Sequence, residues 1–340
     1  MISTYSLLKE YLYVIMKCAE REGHMNKRIV FMGTASFSKE VLDMLIKENY
    51  NIVGVVTQPD RPVGRKKILT PSDVKKVALE HNIPVVQPER IKKDYQGVLD
   101  LQPDLIITAA YGQIVPTAVL DAPELGCVNV HASLLPRHRG GAPVHRAIIE
   151  DDKKTGVTIM YMAEKMDAGD IISQAETPIS DDDTVGILYD RLAIMGADLL
   201  KETLPSILEG TNKRIPQDPE LVTISPIISR EDERLDWNHS TRAIFNKVRG
   251  LNPWPGCFTT YQGTRVKLWS GKIHQCENAM THHGHEDNGT IVKIFKDAIG
   301  VKAEDGIYLI TELQVAGKKR MSVQDYLNGK SIFEVGQKFE

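Results

Sequence analysis

Between residue 28 and about residue 210, short apolar runs alternate with amphipathic stretches, a pattern that predicts an α/β architecture. Arg28–Met32, Ile52–Thr57, Leu105–Ala109 and Val157–Met162 read as buried strands, and Pro84–Val86 and Ile171–Ile179 as extended. Helices are expected from Ser36, as cap, to about Glu48, over Pro71–His81 with Ser72 near its start, and around Pro116–Leu120. A long helix is expected from Asp183-Thr184 to about Glu209. Val185, Leu188, Leu192, Met195 and Leu199 recur at helical spacing, and Gly210 is its stop. Such alternation implies a Rossmann-like, mostly parallel sheet with right-handed crossovers.

The pattern then changes. Residues 211–229 lack periodicity and hold Pro216, Pro219 and Pro226, so a linker lying along the surface is expected. A short helix over Ser240–Val248 and a rigid turn over Gly250–Gly256 follow. Short strands recur at Cys257–Tyr261, Arg265–Trp269, Thr290–Phe295, Ile299–Ala303 and Ile307–Leu313. This spacing predicts a small antiparallel, OB-like barrel, with Ser322–Leu327 as a closing helix. The expected division is 25–210, a linker over 211–229, and 230–332. Residues 1–24 carry a short apolar run, Tyr11–Met16, flanked by charge without a small-residue cleavage site, which does not fit a signal peptide. They read as an extension upstream of a start at Met25, or as an amphipathic helix docked on the domain.

Composition narrows the class. The chain has 340 residues, 42% of them hydrophobic and 26% charged, with a net charge of −3, so no global basic field points to nucleic acid. Any such contact must come from a local patch. Cys18, Cys127, Cys257 and Cys276 are scattered without a CxxC pair, which argues against a disulfide framework or a cysteine-type zinc site and fits a reducing cytoplasm. No apolar run approaches the ~20 residues that span a bilayer. Gly33 stands alone after the first strand, so the GxGxxG dinucleotide fingerprint is missing. Gly64-Arg65-Lys66-Lys67 lacks the GxxxxGK[ST] frame, so ATP-driven chemistry is not indicated.

Candidate chemistry concentrates in Cys127–Arg146. Val128, Val130 and Ala132 alternate with Asn129, His131 and Ser133, so Asn129 and His131 project from one strand face. An amide donor beside an imidazole can hold a developing oxyanion. Leu134-Leu135-Pro136 ends the strand, a basic glycine-containing loop follows, and Pro143 opens a helix. A carboxylate near His131 would orient its ring, and either Asp167 or Asp170 can supply it. His138 and His145 flank the loop with no fixed ligand face, and His282, His283 and His285 sit in a glycine-containing loop. No metal is expected at either group. Arg61, Arg65, Lys66 and Lys67 form a basic loop that is either solvated or an arm contacting phosphates. Lys318, Lys319 and Arg320 form a second basic run.

Asn129-x-His131, then SLLPRHRGGAP at 133–143 and Met166-Asp167-Ala168-Gly169-Asp170, resemble the folate-dependent formyltransferases in order and spacing. TQPDRPVGRKK at 57–67, Leu235-Asp236-Trp237, NPWP and GKKRMS are most similar to members acting on an aminoacylated initiator tRNA. The resemblance covers roughly 27–329. It implies formyltransferase topology, Asn129, His131 and Asp167 as catalytic residues, and Ser133, Leu134, Leu135 and Pro136 as the folate wall. It also implies 10-formyltetrahydrofolate as co-substrate, and initiator methionyl-tRNA bound through Arg61, Arg65, Lys66, Lys67, Lys318, Lys319 and Arg320. A monomer without membrane contact, acting in the cytoplasm, is expected. Two departures stand out: Ala35-Ser36 replaces the family's Pro-Asp, and His138 replaces an aromatic. The rival readings are a formyltransferase for a nucleotide or nucleotide-sugar amine, and a non-catalytic tRNA-binding protein.

Overall fold

The computed structural model describes residue 23 and residues 26–64, 66–274 and 285–340. The N-terminal extension apart from Gly23, together with Met25, Arg65, His282 and His283, lies outside the described residues. Two compact units result. The first comprises described residues up to Gly140, then Gly156–Glu176 and Asp190–Ile224; the second comprises Gly141–Thr155, Thr177–Tyr189 and Ser225–Glu340.

The first unit is built on a seven-stranded sheet. In chain order its strands are β1 (Ile29–Gly33), β2 (Ile52–Val56), β5 (Val85–Val86), β6 (Leu105–Ala109), β7 (Cys127–His131), β8 (Lys154–Tyr161) and β9 (Ile171–Pro178), with β3 (Arg61–Val63) and β4 (Ile68–Thr70) apart from it. The spatial order is β5-β2-β1-β6-β7-β8-β9. β1 is buried along its whole length, as a central strand covered on both faces must be. Helix α1 (Ser36–Lys47) buries Phe37, Val41, Leu42 and Leu45, a stripe at helical spacing. Its N-cap is Ala35, without a side-chain cap, so Ser36 is the first helical residue and not the expected cap. In helix α2 (Asp73–Glu80), Ser72 near the expected start is the N-cap, its Oγ accepting from Lys75 N at 3.1 Å. Short helices α3 (Gln96–Leu99) and α4 (Thr117–Leu120) follow; α5 (Pro143–Ile149) falls in the second unit, and the long α6 (Val185–Leu208) belongs to the first from Asp190 onward. Gly210, at φ +68°, lies just past the end of α6 in a conformation that glycine adopts freely.

The parallel expectation holds from β5 to β7. β8 runs antiparallel to β7, with Val128 opposite Tyr161 and His131 opposite Thr158. The basic run expected as a loop is a two-stranded hairpin, with Arg61 opposite Thr70 and Val63 opposite Ile68. Its pairing leaves Val63, Ile68 and Leu69 exposed beside the basic residues. Residues 211–224 do more than connect: Ile215 exchanges both backbone hydrogen bonds with Ile171, at 2.9 and 2.8 Å, and Arg139 N donates to Thr223 O at 2.9 Å.

In the second unit, helix α7 (Thr241–Gly250) is capped by Ser240, and strands β10 (Cys257–Tyr261), β11 (Thr264–Ile273), β12 (Ile291–Ile294), β13 (Ile299–Lys302), β14 (Ile307–Val315) and β15 (Met321–Ser322) precede helix α8 (Val323–Leu327). The sheet order is β10-β11-β14-β13-β12, with β15 on β14, and every paired strand is antiparallel. The last residues join its two edges. Phe339 bridges Tyr261 at the end of β10, and Lys338 bridges Thr290 just before β12. Trp237, Tyr261, Tyr308, Phe333 and Phe339 form an aromatic core inside, so residues beyond 332 complete this domain. Among the described residues no helix is long and apolar enough to cross a membrane.

Candidate active site

β7 delivers Asn129 and His131 to one face because side chains alternate along a strand. Asn129 lies opposite Thr108 on β6, and Thr108 Oγ1 donates to Asn129 Oδ1 at 2.9 Å. With the amide oxygen occupied, the orientation of the group is set. Its Nδ2 is the remaining donor pair and has no hydrogen-bond partner among the described residues. Asn129 is only partly buried, so this donor is within reach of a ligand.

His131 is 6% exposed. Its Nε2 lies 3.0 Å from the carbonyl of His138, which can only accept, so Nε2 carries a proton. Nδ1 then faces Asp167, whose Oδ1 is 3.8 Å away. His138 adopts φ +58° and turns its carbonyl toward the ring, while its backbone N donates to Thr223 Oγ1 at 2.8 Å.

The chain leaves β8 beside Cys127, where Met162 N donates to Cys127 O at 2.8 Å, and the following turn returns Asp167 to His131. Asp167 sits at φ +49°. Its Oδ2 accepts from Gly140 N at 2.8 Å, a contact presented by Gly140 at φ +118°, where a Cβ would be strained. Gly169 closes the turn so tightly that a Cβ would lie 2.0 Å from Tyr161 O. The alternative carboxylate, Asp170, is instead ion-paired with Arg214 at 3.2 Å. Asp167 is therefore the carboxylate beside the imidazole.

The expected folate wall divides by burial. Ser133 is fully buried and donates to Arg137 O at 2.8 Å, and Leu135 packs with Met160 and Ile171. Leu134 and Pro136 are partly exposed. Thr158 and Gln174 brace the loop: Thr158 Oγ1 donates to Ser133 O at 2.7 Å, and Gln174 Nε2 donates to Leu135 O at 2.8 Å. Burial pushes the Cys127 thiol up to about 12, with Asp121 adding to the effect, so this cysteine is no nucleophile near neutral pH. Burial also lowers the affinity of His145 for a proton, partly offset by a hydrogen bond to the Trp254 backbone. Among the described residues, no three His, Cys, Asp or Glu side chains are placed to share a metal ion.

The basic candidates lie in two places. Arg61 pairs with Glu89 at 3.1 Å, Lys66 and Lys67 are exposed at the hairpin turn, and Arg65 lies outside the described residues. Lys318 and Lys319 are exposed, with Lys318 Nζ 4.9 Å from the Tyr326 ring centroid. Arg320 is held inside the protein's own network: Nε and Nη2 grip Glu312 at 2.7 and 2.6 Å, and the guanidinium lies 4.7 Å over Trp269.

Thr108, Gly140, Gln217 and Thr223 escape sequence reasoning. Only Thr108 carries a signal, a polar side chain inside an otherwise apolar buried strand next to the Asn-bearing one.

Residues 27–204 match the Formyl transferase family, and residues 227–331 match Formyl transferase, C-terminal domain. The chain belongs to the formyl transferase family and is an enzyme that transfers a one-carbon formyl group. It is 52% identical over 316 residues to a Lysinibacillus sphaericus (strain C3-41) protein named Methionyl-tRNA formyltransferase, covering 92% of this chain and 99% of the relative. A Staphylococcus aureus (strain MW2) protein of the same name is 49% identical over 92% of this chain and 99% of its own length. Among solved structures, HypX from Aquifex aeolicus in complex with tetrahydrofolic acid aligns with a TM-score of 0.61 at 19% identity, over 89% of this chain and 47% of that one. An N-formyltransferase from Helicobacter canadensis, in complex with folinic acid and dTDP-3-aminofucose, aligns at 0.61 and 18% identity, over 87% and 99%. At these identities the two structures share the fold.

Proposed function

We propose that this protein formylates the α-amine of initiator methionyl-tRNA, with 10-formyltetrahydrofolate as donor and N-formylmethionyl-tRNA as product. One observation carries the site: the free Asn129 Nδ2, the His131 ring and the Asp167 carboxylate are assembled on one face of β7. The names of relatives sharing about half their residues over nine-tenths of the chain support the acceptor. The amide donor Asn129 Nδ2, without a hydrogen-bond partner among the described residues and beside a partly exposed loop, suits a formyl carbonyl.

The methionyl amine bonds to the formyl carbon, negative charge gathers on the formyl oxygen, and the bond from that carbon to the folate nitrogen then breaks. Asn129 Nδ2 donates to the developing oxyanion, and a proton on His131 Nδ1 is a second donor to it. His138 O holds the far side of the ring. Asp167, fixed by Gly140 N, faces Nδ1 across 3.8 Å, a separation that one water touching both can bridge. That water takes the proton from the attacking amine and passes it to the leaving folate nitrogen. Leu134 and Pro136 form the accessible part of the folate wall, with Ser133 and Leu135 setting its shape. Arg61, Arg65, Lys66 and Lys67, with Lys318, Lys319 and Arg320, contribute to tRNA binding. The enzyme acts as a monomer in the cytoplasm.

The test mixes charged initiator tRNA, 10-formyltetrahydrofolate and protein, and measures formylmethionyl-tRNA. Formation at an enzymatic rate, lost in Asn129→Ala and Asp167→Ala with folding intact, is expected. Turnover only with a nucleotide-sugar amine or glycinamide ribonucleotide would replace the acceptor. Tight tRNA binding without any turnover would leave a binding protein.

A further inference from the structure

We propose that Gln217 is a positioning residue that sets the place of Asp167 relative to His131. The inference rests on the reading that Asp167 and His131 act together. Gln217 spends both ends of its side-chain amide on the two loops of the site. Nε2 donates to Asp167 O and to Gly169 O, each at 2.8 Å, so both its protons go to the carboxylate-bearing turn. Oε1 accepts from Arg139 Nε at 3.0 Å and from Nη2 at 2.8 Å. Arg139 is 6% exposed, and it sits between the two residues that touch the site through their backbones. His138 O holds His131 Nε2, and Gly140 N holds Asp167 Oδ2. One amide thus clamps the carboxylate turn to the loop that aims the imidazole.

The clamp has a reason to exist. Asp167 adopts φ +49°, a region that residues with a Cβ enter only under local constraint. Gln217 caps the carbonyl of that residue and the carbonyl two positions on. Gln217 is itself anchored, since Ile215 exchanges both backbone bonds with Ile171, and Asp218 Oδ1 accepts from Glu220 N at 2.9 Å.

The two ends of the amide are separable. Gln217→Glu keeps an acceptor for Arg139 and makes it a charged one, while it removes both donors to the Asp167 turn. The charged acceptor for Arg139 offsets part of the cost of leaving two carbonyls facing a carboxylate oxygen, so the variant is expected to fold with a modestly lower melting temperature. Its kcat is expected to fall about 10- to 100-fold, the penalty of misplacing a reacting group by about an ångström. KM for either substrate should change by no more than about threefold, because the amide is spent on Arg139 and the Asp167 turn, and a loss confined to kcat marks misplacement of the reacting groups. Gln217→Ala, which releases both loops, should lose stability as well.

The decisive comparison uses single-turnover rates, with protein in excess, for Asp167→Asn, Gln217→Glu and the double variant. If Gln217 works through Asp167, the double variant is no slower than Asp167→Asn. A folded Gln217→Glu protein with parental kcat overturns the proposal. So does a double variant slowed by the full Gln217→Glu factor beyond Asp167→Asn. If Asp167→Asn keeps parental turnover, the reading of the site fails first and takes this inference with it.

Discussion

Thr108 and Asn129 stand opposite each other on neighbouring parallel strands, and the threonine hydroxyl donates to the amide oxygen at 2.9 Å. That bond, the shortest of the three open to the Thr108 hydroxyl, favours the orientation that leaves Nδ2 facing away from Thr108. Without it, the carboxamide can rotate and present oxygen where a donor is needed. Thr108→Val, close in shape, is expected to lower kcat about tenfold with little change in KM. Asn129→Ala, which removes the donor altogether, should cost about 100-fold or more. Parental kcat in Thr108→Val would separate the orientation of Asn129 from its neighbour.

The second unit should weaken in acid. Burial raises the cost of charging Asp151, but hydrogen bonds from Lys153, Arg242 and Asn246 outweigh it and hold the carboxyl well below the usual carboxylate range. Asp181 is lowered as well, chiefly by its hydrogen bond from Arg242. A carboxyl depressed in the folded state contributes stability that is present above its unfolded value, near about pH 4, and lost as pH falls through the folded value. Urea unfolding should therefore show a stability that declines from about pH 4 downward. Asp151→Asn should flatten that decline and cost about 1 kcal/mol at pH 7, the size of a half-exposed hydrogen-bonded ion pair.

The basic hairpin predicts a salt effect. Lys66 and Lys67 are exposed at the turn and, among the described residues, have no carboxylate partner such as Arg61 has in Glu89. Replacing both with alanine should raise KM for the tRNA and reduce the slope of log affinity against log salt by about 0.9 for each phosphate that is no longer neutralised. The turnover number at saturating tRNA should hold. An unchanged salt slope would remove the hairpin lysines from the interface.

Phe339 tests whether the final residues belong to the barrel. It is 1% exposed and packs within 5.8 Å of Trp237, 5.4 Å of Tyr261 and 5.4 Å of Phe333, centroid to centroid. Phe339→Ala should cost about 3–5 kcal/mol of stability, visible as an earlier unfolding transition. A loss below about 1 kcal/mol would mean that the strap closing the sheet edge is dispensable.

Much of the fold was legible because its signals are local. Burial on both faces makes β1 a continuous apolar run and β6 one broken only by Thr108, and Ser72, Ser240 and Ser322 stand just before their helices, close to where those helices were expected to begin. Ser36 misled for an instructive reason. It looks like a cap, but the helix starts one residue early, with Ala35 at the N-cap and Ser38 N donating to Ala35 O at 2.9 Å. The hairpin at 61–70 was hidden by Pro62 and Gly64, which weaken strand propensity, and its pairing appears only when Arg61 is set against Thr70. Arg320 read only as part of a basic run, because its partner, Glu312, stands on β14 eight residues back.

The sequence by itself determined that Asn129 and His131 share a face, since a strand repeats every two residues whatever surrounds it. It also determined the strand–helix alternation of the first unit and the short-strand barrel of the second. Periodicity leaves Asp167 and Asp170 open and only the family resemblance points to Asp167; the tertiary structure supplies the physical reason, because the turn after β8 folds back with Arg214 claiming one carboxylate and Gly140 N the other. It alone brought Thr108 to the Asn129 amide, and Gln217 to the turn that carries Asp167. Periodicity speaks only for neighbours along the chain, whereas a hydrogen bond across 21 or 50 residues depends on every element packed between them.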